Sequence, residues 1–228
     1  MKSFFLSLML IVNAGFAFGQ SSVRIDFRPM FNGKELVQDK KYWCEAIHDS
    51  VSVSMLRFYI SGIEFLKNGK SVAKEAESYH LVDLADSSTL SINCKLNKNI
   101  SFNEIKFNLG IDSATNVSGV MGGDLDPTKG MYWTWQSGYI NFKIEGTANK
   151  CTARNHEFQF HLGGYLSPDL SMQKMDFACK NSSGLKFNVN VDRFFSGMDL
   201  SNTDHVMIPG AEAVELSKKA AGIFSIVN

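Results

Sequence analysis

Hydrophobic and polar residues alternate along several stretches of the chain with the period of two that predicts half-buried β-strands. In the first of them, Val23, Ile25 and Phe27 alternate with charged residues. The alternation recurs in four later segments, at 105–109, 140–144, 157–162 and 185–191. Less regular strands are predicted at 51–58 and 79–84, where aromatic and β-branched residues are frequent.

One segment near the end of the chain has a helical pattern. It covers Ala211–Ala221, follows Pro209-Gly210, and places apolar residues on one face. The 18 phenylalanines indicate a core built from aromatic strands. Together these patterns predict an all-β protein, an antiparallel β-sandwich of Greek-key or immunoglobulin-like type with one short C-terminal helix.

The first residues have the features of a secretory signal. Lys2 precedes an apolar run at 4–12, and small residues follow at 14–19. The run is shorter than the ~20 residues that cross a bilayer as a helix, and no later segment is longer. We therefore expect a signal peptide over 1–19 and a single exported domain over 20–228, periplasmic or extracellular, without a transmembrane segment.

Export to an oxidising compartment predicts disulfide bonds. The four cysteines lie far apart and form no C-x-x-C motif, which disfavours a zinc or thioredoxin-like site. Three pairings are open to them. Cys44 with Cys94 and Cys151 with Cys179 are favoured, because each pair flanks neighbouring predicted strands.

Charge and motifs exclude several functions. The 23 basic residues balance the 23 acidic ones, so the broad basic surface of a nucleic-acid-binding protein is absent. The nucleophile elbow, the P-loop and the dinucleotide-binding glycine pattern are missing from the sequence. His156 and His161 are five residues apart, which places them on opposite faces of a strand and not on one metal. We therefore expect a protein without catalytic activity.

Two segments carry candidate chemistry. Residues 130–139 contain Trp133 and Trp135, which an extended backbone places on one face. In 157–162 the aromatic residues share one face, and His161 lies on the other, directly before Gly163-Gly164. This histidine is therefore predicted near a strand end, where scaffolds commonly present ligands.

Four strings in these and neighbouring segments resemble one family. They are LRFYIS at 56–61, FNLG at 107–110, GMYWTWQSGY at 130–139 and FHLG at 160–163. In this order they resemble the MbnP family of exported proteins associated with copper homeostasis, which are related to the methanotroph proteins MopE and CorA. The resemblance extends over most of the chain after the predicted signal.

The resemblance implies a copper site made of imidazoles and a kynurenine, an oxidised tryptophan formed by a dihaem enzyme of the MauG/MbnH type. Imidazole suits copper, which heads the divalent affinity order. His161 matches the histidine of the FHLG string, and Trp133 or Trp135 matches the modified tryptophan, with Trp133 favoured.

The sequence departs from the MopE-like pattern at one position. That pattern has a histidine two residues after the modified tryptophan, where this chain has Trp135. His205 is the candidate for the second imidazole, and Met207 would offer a thioether on the same side of an extended segment.

A second function is compatible with the same composition. An exported β-sandwich can bind glycan or protein through an aromatic face, with Trp43, Trp133 and Trp135 as stacking residues. Replacing His161 distinguishes the two functions, because a copper protein would lose metal and a stacking module would keep its ligand.

Overall fold

A computed structural model describes residues 21–97, 99–136, 138–180 and 183–227. The predicted signal peptide over 1–19 lies outside the described residues. The strands are β1 Ser21–Phe31, β2 Lys34–Glu35, β3 Lys41–Cys44, β4 Asp49–Lys67, β5 Lys70–Lys74, β6 Tyr79–Asp83, β7 Ser91–Leu96, β8 Glu104–Leu109, β9 Tyr132–Trp133, β10 Gly138–Ala148, β11 Glu157–Gly163, β12 Gln173–Ala178, β13 Gly184–Asn190, β14 His205–Val206 and β15 Phe224–Val227. The helices are α1 Ser113–Ser118 and α2 Ala211–Ala221.

These strands form two packed sheets, which confirms the predicted β-sandwich. The smaller, five-stranded sheet has the order β15-β13-β1-β2, with β7 also paired to β1. The larger, ten-stranded sheet has the order β12-β8-β4-β10-β11-β14, with four further strands paired to β4 or β10. Helix α2 begins and ends at the predicted residues. Among the described residues, no helix has the length and apolar character needed to cross a membrane.

Most strand pairs are antiparallel, but β1 pairs with β13 and β11 pairs with β14 in parallel. Alternation of side chains is the same in both kinds of ladder, so the sequence pattern carries no information on strand direction. The parallel β11–β14 pair places two of the predicted site residues on neighbouring strands.

Aromatic residues fill the space between the sheets. Phe27 and Phe187 are partners in the parallel β1–β13 register, and their rings stack at 5.6 Å. Phe58 of the larger sheet meets Phe27 edge-to-face at 5.8 Å. Burying each phenylalanine contributes about 1.5–3 kcal/mol, and each aromatic pair adds about 0.5–1.5 kcal/mol. This core fixes β4, β10 and β11, whose outer faces carry the candidate site.

The four cysteines are free and buried, so the predicted bonds Cys44–Cys94 and Cys151–Cys179 are not formed. Cys44 lies opposite Asp49 at the start of β4, whereas Cys94 lies beside Glu75, whose amide bonds to Ile63 towards the other end of that strand. Cys151 is close to the carboxylate of Asp204 and Cys179 to that of Glu104. Burial and the Asp204 charge raise the pKa of Cys151 to about 11, which keeps this thiol protonated and unreactive. Proximity to a predicted strand does not indicate which end of β4 a cysteine lies near.

Candidate metal centre

The segment between β8 and β10 folds over the outer face of the larger sheet. On β4, Phe58 and Ile60 face the core between the sheets, so Tyr59 between them faces outward. The Tyr59 hydroxyl donates to the carbonyl oxygen of Asp124 at 3.0 Å, which ties the segment to the sheet. A second apolar cluster fills the interface, formed by Tyr59, Leu81, Ile111, Leu125, Met131, Trp133, Tyr139 and Ile140. Part of the outer face is therefore a buried environment.

Trp133 is the edge of this cluster that reaches β11. It lies in β9 opposite Gly138 and is 7% exposed. Its six-membered ring lies directly over Gly163, where a Cβ atom would be 2.5 Å from Trp133 Cζ3. The missing side chain of Gly163 therefore makes the space that the indole occupies. Trp135 is 60% exposed, and its ring centroid lies 5.6 Å from that of Trp133.

His161 lies on the same face of β11 as Gly163, two residues before it, and is buried. Its Nε2 atom lies 2.7 Å from Glu145 Oε1 on β10, and Lys143 Nζ lies 3.4 Å from the same oxygen. Because a carboxylate only accepts hydrogen bonds, Nε2 carries the ring proton and donates a hydrogen bond to Glu145. Burial lowers the pKa of His161, against the opposing effect of Glu145. No hydrogen bond to His161 Nδ1 is found within the part of the chain that the structure describes.

His205 lies on the neighbouring strand. In the parallel β11–β14 register, His205 is opposite Gln159 and Val206 opposite Phe160. Since Val206 belongs to the core, His205 is on the outer face with His161. Strand spacing and rise place the Cα atoms of the two histidines about 8 Å apart, a distance that two imidazoles can span.

A carboxylate also holds His205. Its Nδ1 atom lies 2.6 Å from Asp204 Oδ1, while Asp204 Oδ2 accepts from the backbone amides of Thr152 and Ala153 at 3.1 and 3.0 Å. Met207 directly follows β14 and is partly exposed. The strand therefore presents an oriented imidazole and, two residues later, a thioether.

The outer face thus brings together His161, His205 and Trp133 of the predicted site, but the side chains are not gathered around one point. The described residues contain no group of three or more histidine, cysteine, aspartate or glutamate side chains that could hold a metal ion. Each of the two imidazoles donates one ring N–H to a carboxylate, which is the arrangement usual for metal-binding histidines. Imidazole and thioether are ligands that copper accepts, so this set of side chains fits the ion.

Glu145, Lys143 and Gly163 contribute to the site without having been selected as site residues from the sequence. The alternation in 140–144 places Lys143 on the outer face, but only the β10–β11 register shows that it lies opposite His161. Asp204 could have been identified from its position next to His205. The contacts of Glu145 and Lys143 with His161 could not be predicted, because these residues are far from it in the sequence.

The three tryptophans do not form a common aromatic face. Trp43 lies in β3 opposite Ser50, near the start of β4, whereas Trp133 lies opposite Gly138 beyond the other end of the β4–β10 ladder. Trp133 is also too deeply buried to stack on a glycan. The prediction that Trp43, Trp133 and Trp135 form one aromatic stacking surface is therefore wrong.

Comparison with known proteins gives two matches. The MbnP family model matches residues 20–209. Among solved structures, MbnP from Methylosinus trichosporium is similar, with a TM-score of 0.65 and 13% sequence identity over 91% of this chain and 98% of that chain. At this identity the structural likeness concerns the fold alone. The comparison with curated proteins gives no match.

Proposed function

The chain belongs to the MbnP family, and from that premise we propose that it binds copper on the outer face of the larger sheet. Family membership supports a copper-related role at the level of the family. The finer proposal is an exported protein that scavenges, stores or delivers copper without catalysis. Copper is its cargo, with His161 and His205 as imidazole ligands and Met207 as a soft third donor.

The observation that carries this proposal is the environment of His161. The imidazole is buried, Glu145 fixes its ring, and the indole of Trp133 lies over the next outward-facing position of the same strand. A buried, oriented and neutral imidazole is ready to bind a metal without first losing a proton.

Replacing His161 tests the proposal. We expect His161→Ala to lose most of its affinity for copper, because the best-oriented ligand is gone. The measurement is a competition titration of the purified protein with a copper chelator of known affinity. His48→Ala is the control, since His48 is an exposed histidine beside Glu45, on neither of the strands that carry His161 and His205. Equal copper affinity in wild type and His161→Ala would refute the proposed site.

We also propose that Trp133, and not Trp135, is the tryptophan converted to kynurenine. The indole of Trp133 lies over the strand that carries His161, whereas Trp135 is exposed and does not belong to the buried cluster. In the conversion the C2–C3 bond of the indole breaks and each of the two carbons becomes a carbonyl. This four-electron oxidation consumes two molecules of hydrogen peroxide, which are reduced to water on an enzyme of the dihaem MauG/MbnH class. Water then hydrolyses the N-formyl group to formate, which leaves an aniline nitrogen as a further candidate ligand.

Mass spectrometry of protein isolated from its own host checks the modified position. We expect Trp133→Phe to remove the tryptophan modification and Trp135→Phe to retain it, because the Trp133 ring is the one packed on Gly163, two residues after His161. Peptide mapping locates the modified residue. Modification confined to Trp135 would show that the buried ring is not the substrate.

A further inference from the structure

The two candidate imidazoles each use one ring nitrogen for a carboxylate, but they do not use the same nitrogen. His161 contacts Glu145 through Nε2 at 2.7 Å, and His205 contacts Asp204 through Nδ1 at 2.6 Å. A neutral imidazole has one N–H donor and one lone-pair acceptor, so the carboxylate that accepts from one nitrogen leaves the lone pair on the other. The two rings therefore present different atoms to a ligand.

We propose that Glu145 and Asp204 are positioning residues that select Nδ1 of His161 and Nε2 of His205 as the atoms that bind copper. This inference rests on the proposed function and adds the identity of the ligand atoms. Nδ1 is the ring nitrogen nearer the backbone, whereas Nε2 is at the tip of the ring. The ion would consequently lie close to β11 and be reached by His205 from the neighbouring strand.

Glu145 is held in place by more than one group. It lies on β10 in register with Gln159, which places its side chain diagonally beside His161. Lys143, directly opposite His161, lies 3.4 Å from the same oxygen, Glu145 Oε1, and its side chain is 12% exposed. With a cation and an imidazole both on Oε1, the carboxylate has little freedom to release Nε2. The His161 tautomer is fixed before any metal arrives.

Asp204 is fixed through its second oxygen. Oδ2 accepts from two backbone amides and, at 3.3 Å, from the hydroxyl of Thr152, which leaves Oδ1 for His205. The backbone carbonyl of Asp204 also accepts from the amide of Gln159, which joins this residue to β11. The carboxylate that orients His205 is therefore held by the segment before β11, and its backbone by β11 itself.

Nitrogen-15 NMR of the histidines tests the assignment. In the metal-free protein we expect long-range proton–nitrogen correlations to show the Nε2–H tautomer for His161 and the Nδ1–H tautomer for His205. Ag⁺, a diamagnetic substitute for Cu⁺, should then shift Nδ1 of His161 and Nε2 of His205. A merely structural carboxylate would not determine these atom-specific shifts.

Variants of the two carboxylates extend the test. Glu145→Leu should mix the His161 tautomers while leaving those of His205 unchanged, and should weaken Ag⁺ binding by about 10- to 100-fold. Glu145→Gln retains an acceptor oxygen and should restore most of the affinity. Asp204→Ala should mix the His205 tautomers while leaving that of His161 unchanged. Glu157→Leu, at the start of the β11 strand that carries His161, is the control and should leave the tautomers of both histidines unchanged.

Circular dichroism monitors the folding of each variant. If Glu145→Leu fails to fold because Lys143 loses its partner, the double variant Lys143→Met/Glu145→Leu removes both charges and takes its place. Ag⁺ bound to the wild type through Nε2 of His161 would overturn the assignment while leaving metal binding intact. An unchanged His161 tautomer in a folded Glu145→Leu variant would overturn it as well. Expected tautomers with no binding of Ag⁺ or Cu⁺ would refute the proposed function itself.

Discussion

Gly163→Ala is expected to destabilise the protein and displace Trp133 from the candidate site. The added Cβ would lie 2.5 Å from Trp133 Cζ3 and 2.8 Å from the carbonyl oxygen of Tyr139. The indole can give way, but the Tyr139 carbonyl is part of the β10 backbone, so its contact is relieved only by distorting the β10–β11 ladder. Overpacking of this kind costs about 1–3 kcal/mol, and displacement of the indole should also lower copper affinity.

Thermal unfolding followed by tryptophan fluorescence measures both effects. We expect a lower melting temperature and red-shifted native emission as Trp133 becomes solvated. Gly122→Ala is the matched control, since a Cβ there meets no atom within 4 Å, and it should change stability by less than about 0.5 kcal/mol. Trp133→Phe in the Gly163→Ala background should recover part of the loss, because the two positions are in contact. A Gly163→Ala variant as stable as wild type would show that the ring has room to move.

Local patterns in the sequence were sufficient for much of the fold. Alternation predicted strands that the structure contains, including β11 and β13, and the apolar spacing of Ala211–Ala221 predicted α2. Asn68 and Gly69, a turn signal by composition, both have positive φ and join β4 to β5. These features depend on residues close together in the chain. The parallel pairing of β1 with β13 depends on residues far apart, and no local pattern encodes it.

The site shows the same division. The outward orientation of His161 followed from its position in β11, but its partners Glu145 and Lys143 come from another strand. Trp133 was selected by resemblance, whereas its contact with Gly163 depends on how β9 folds back on β10. The cysteine pairs failed for this reason too, because sequence spacing does not show which end of β4 a residue lies near. Cys151 is hydrogen-bonded to Ala148 near the start of β4, and Cys179 is hydrogen-bonded through Asn103 to Leu66 near its end.

A polar cluster between the sheets was not identified from the sequence. Glu75, which follows β5, is buried, and its Oε2 accepts from His80 Nε2 at 2.8 Å and from the Ser78 hydroxyl at 2.6 Å. The thiol of Cys94 on the smaller sheet lies beside this carboxylate, whose charge helps burial to raise the pKa of Cys94. Burial by itself would raise the pKa of Glu75, but the hydrogen bonds from His80 and Ser78 outweigh it and lower the pKa. The ionised carboxylate therefore lies where the two sheets meet.

Glu75→Ala is expected to lower the free energy of unfolding by about 3 kcal/mol, because it leaves the buried Ser78 hydroxyl and the half-buried His80 ring without their acceptor. Urea denaturation near neutral pH measures this loss. Glu75→Gln, which retains an acceptor but no charge, should lose about half as much. Glu64→Ala is the control, because Glu64 pairs with Lys74 at the surface and should contribute less than about 1 kcal/mol.

The effect of Glu75 should also depend on pH in one direction. Its pKa is lower in the folded state than the ordinary value of 4.5, so the unfolded chain takes up the proton first as pH falls. The stability difference between wild type and Glu75→Gln should be complete above pH 4.5 and decrease as pH falls through the folded pKa. Denaturation curves collected across this range measure the difference. A difference that stays constant to the lowest pH at which both proteins fold would mean that the charge of Glu75 does not stabilise the fold.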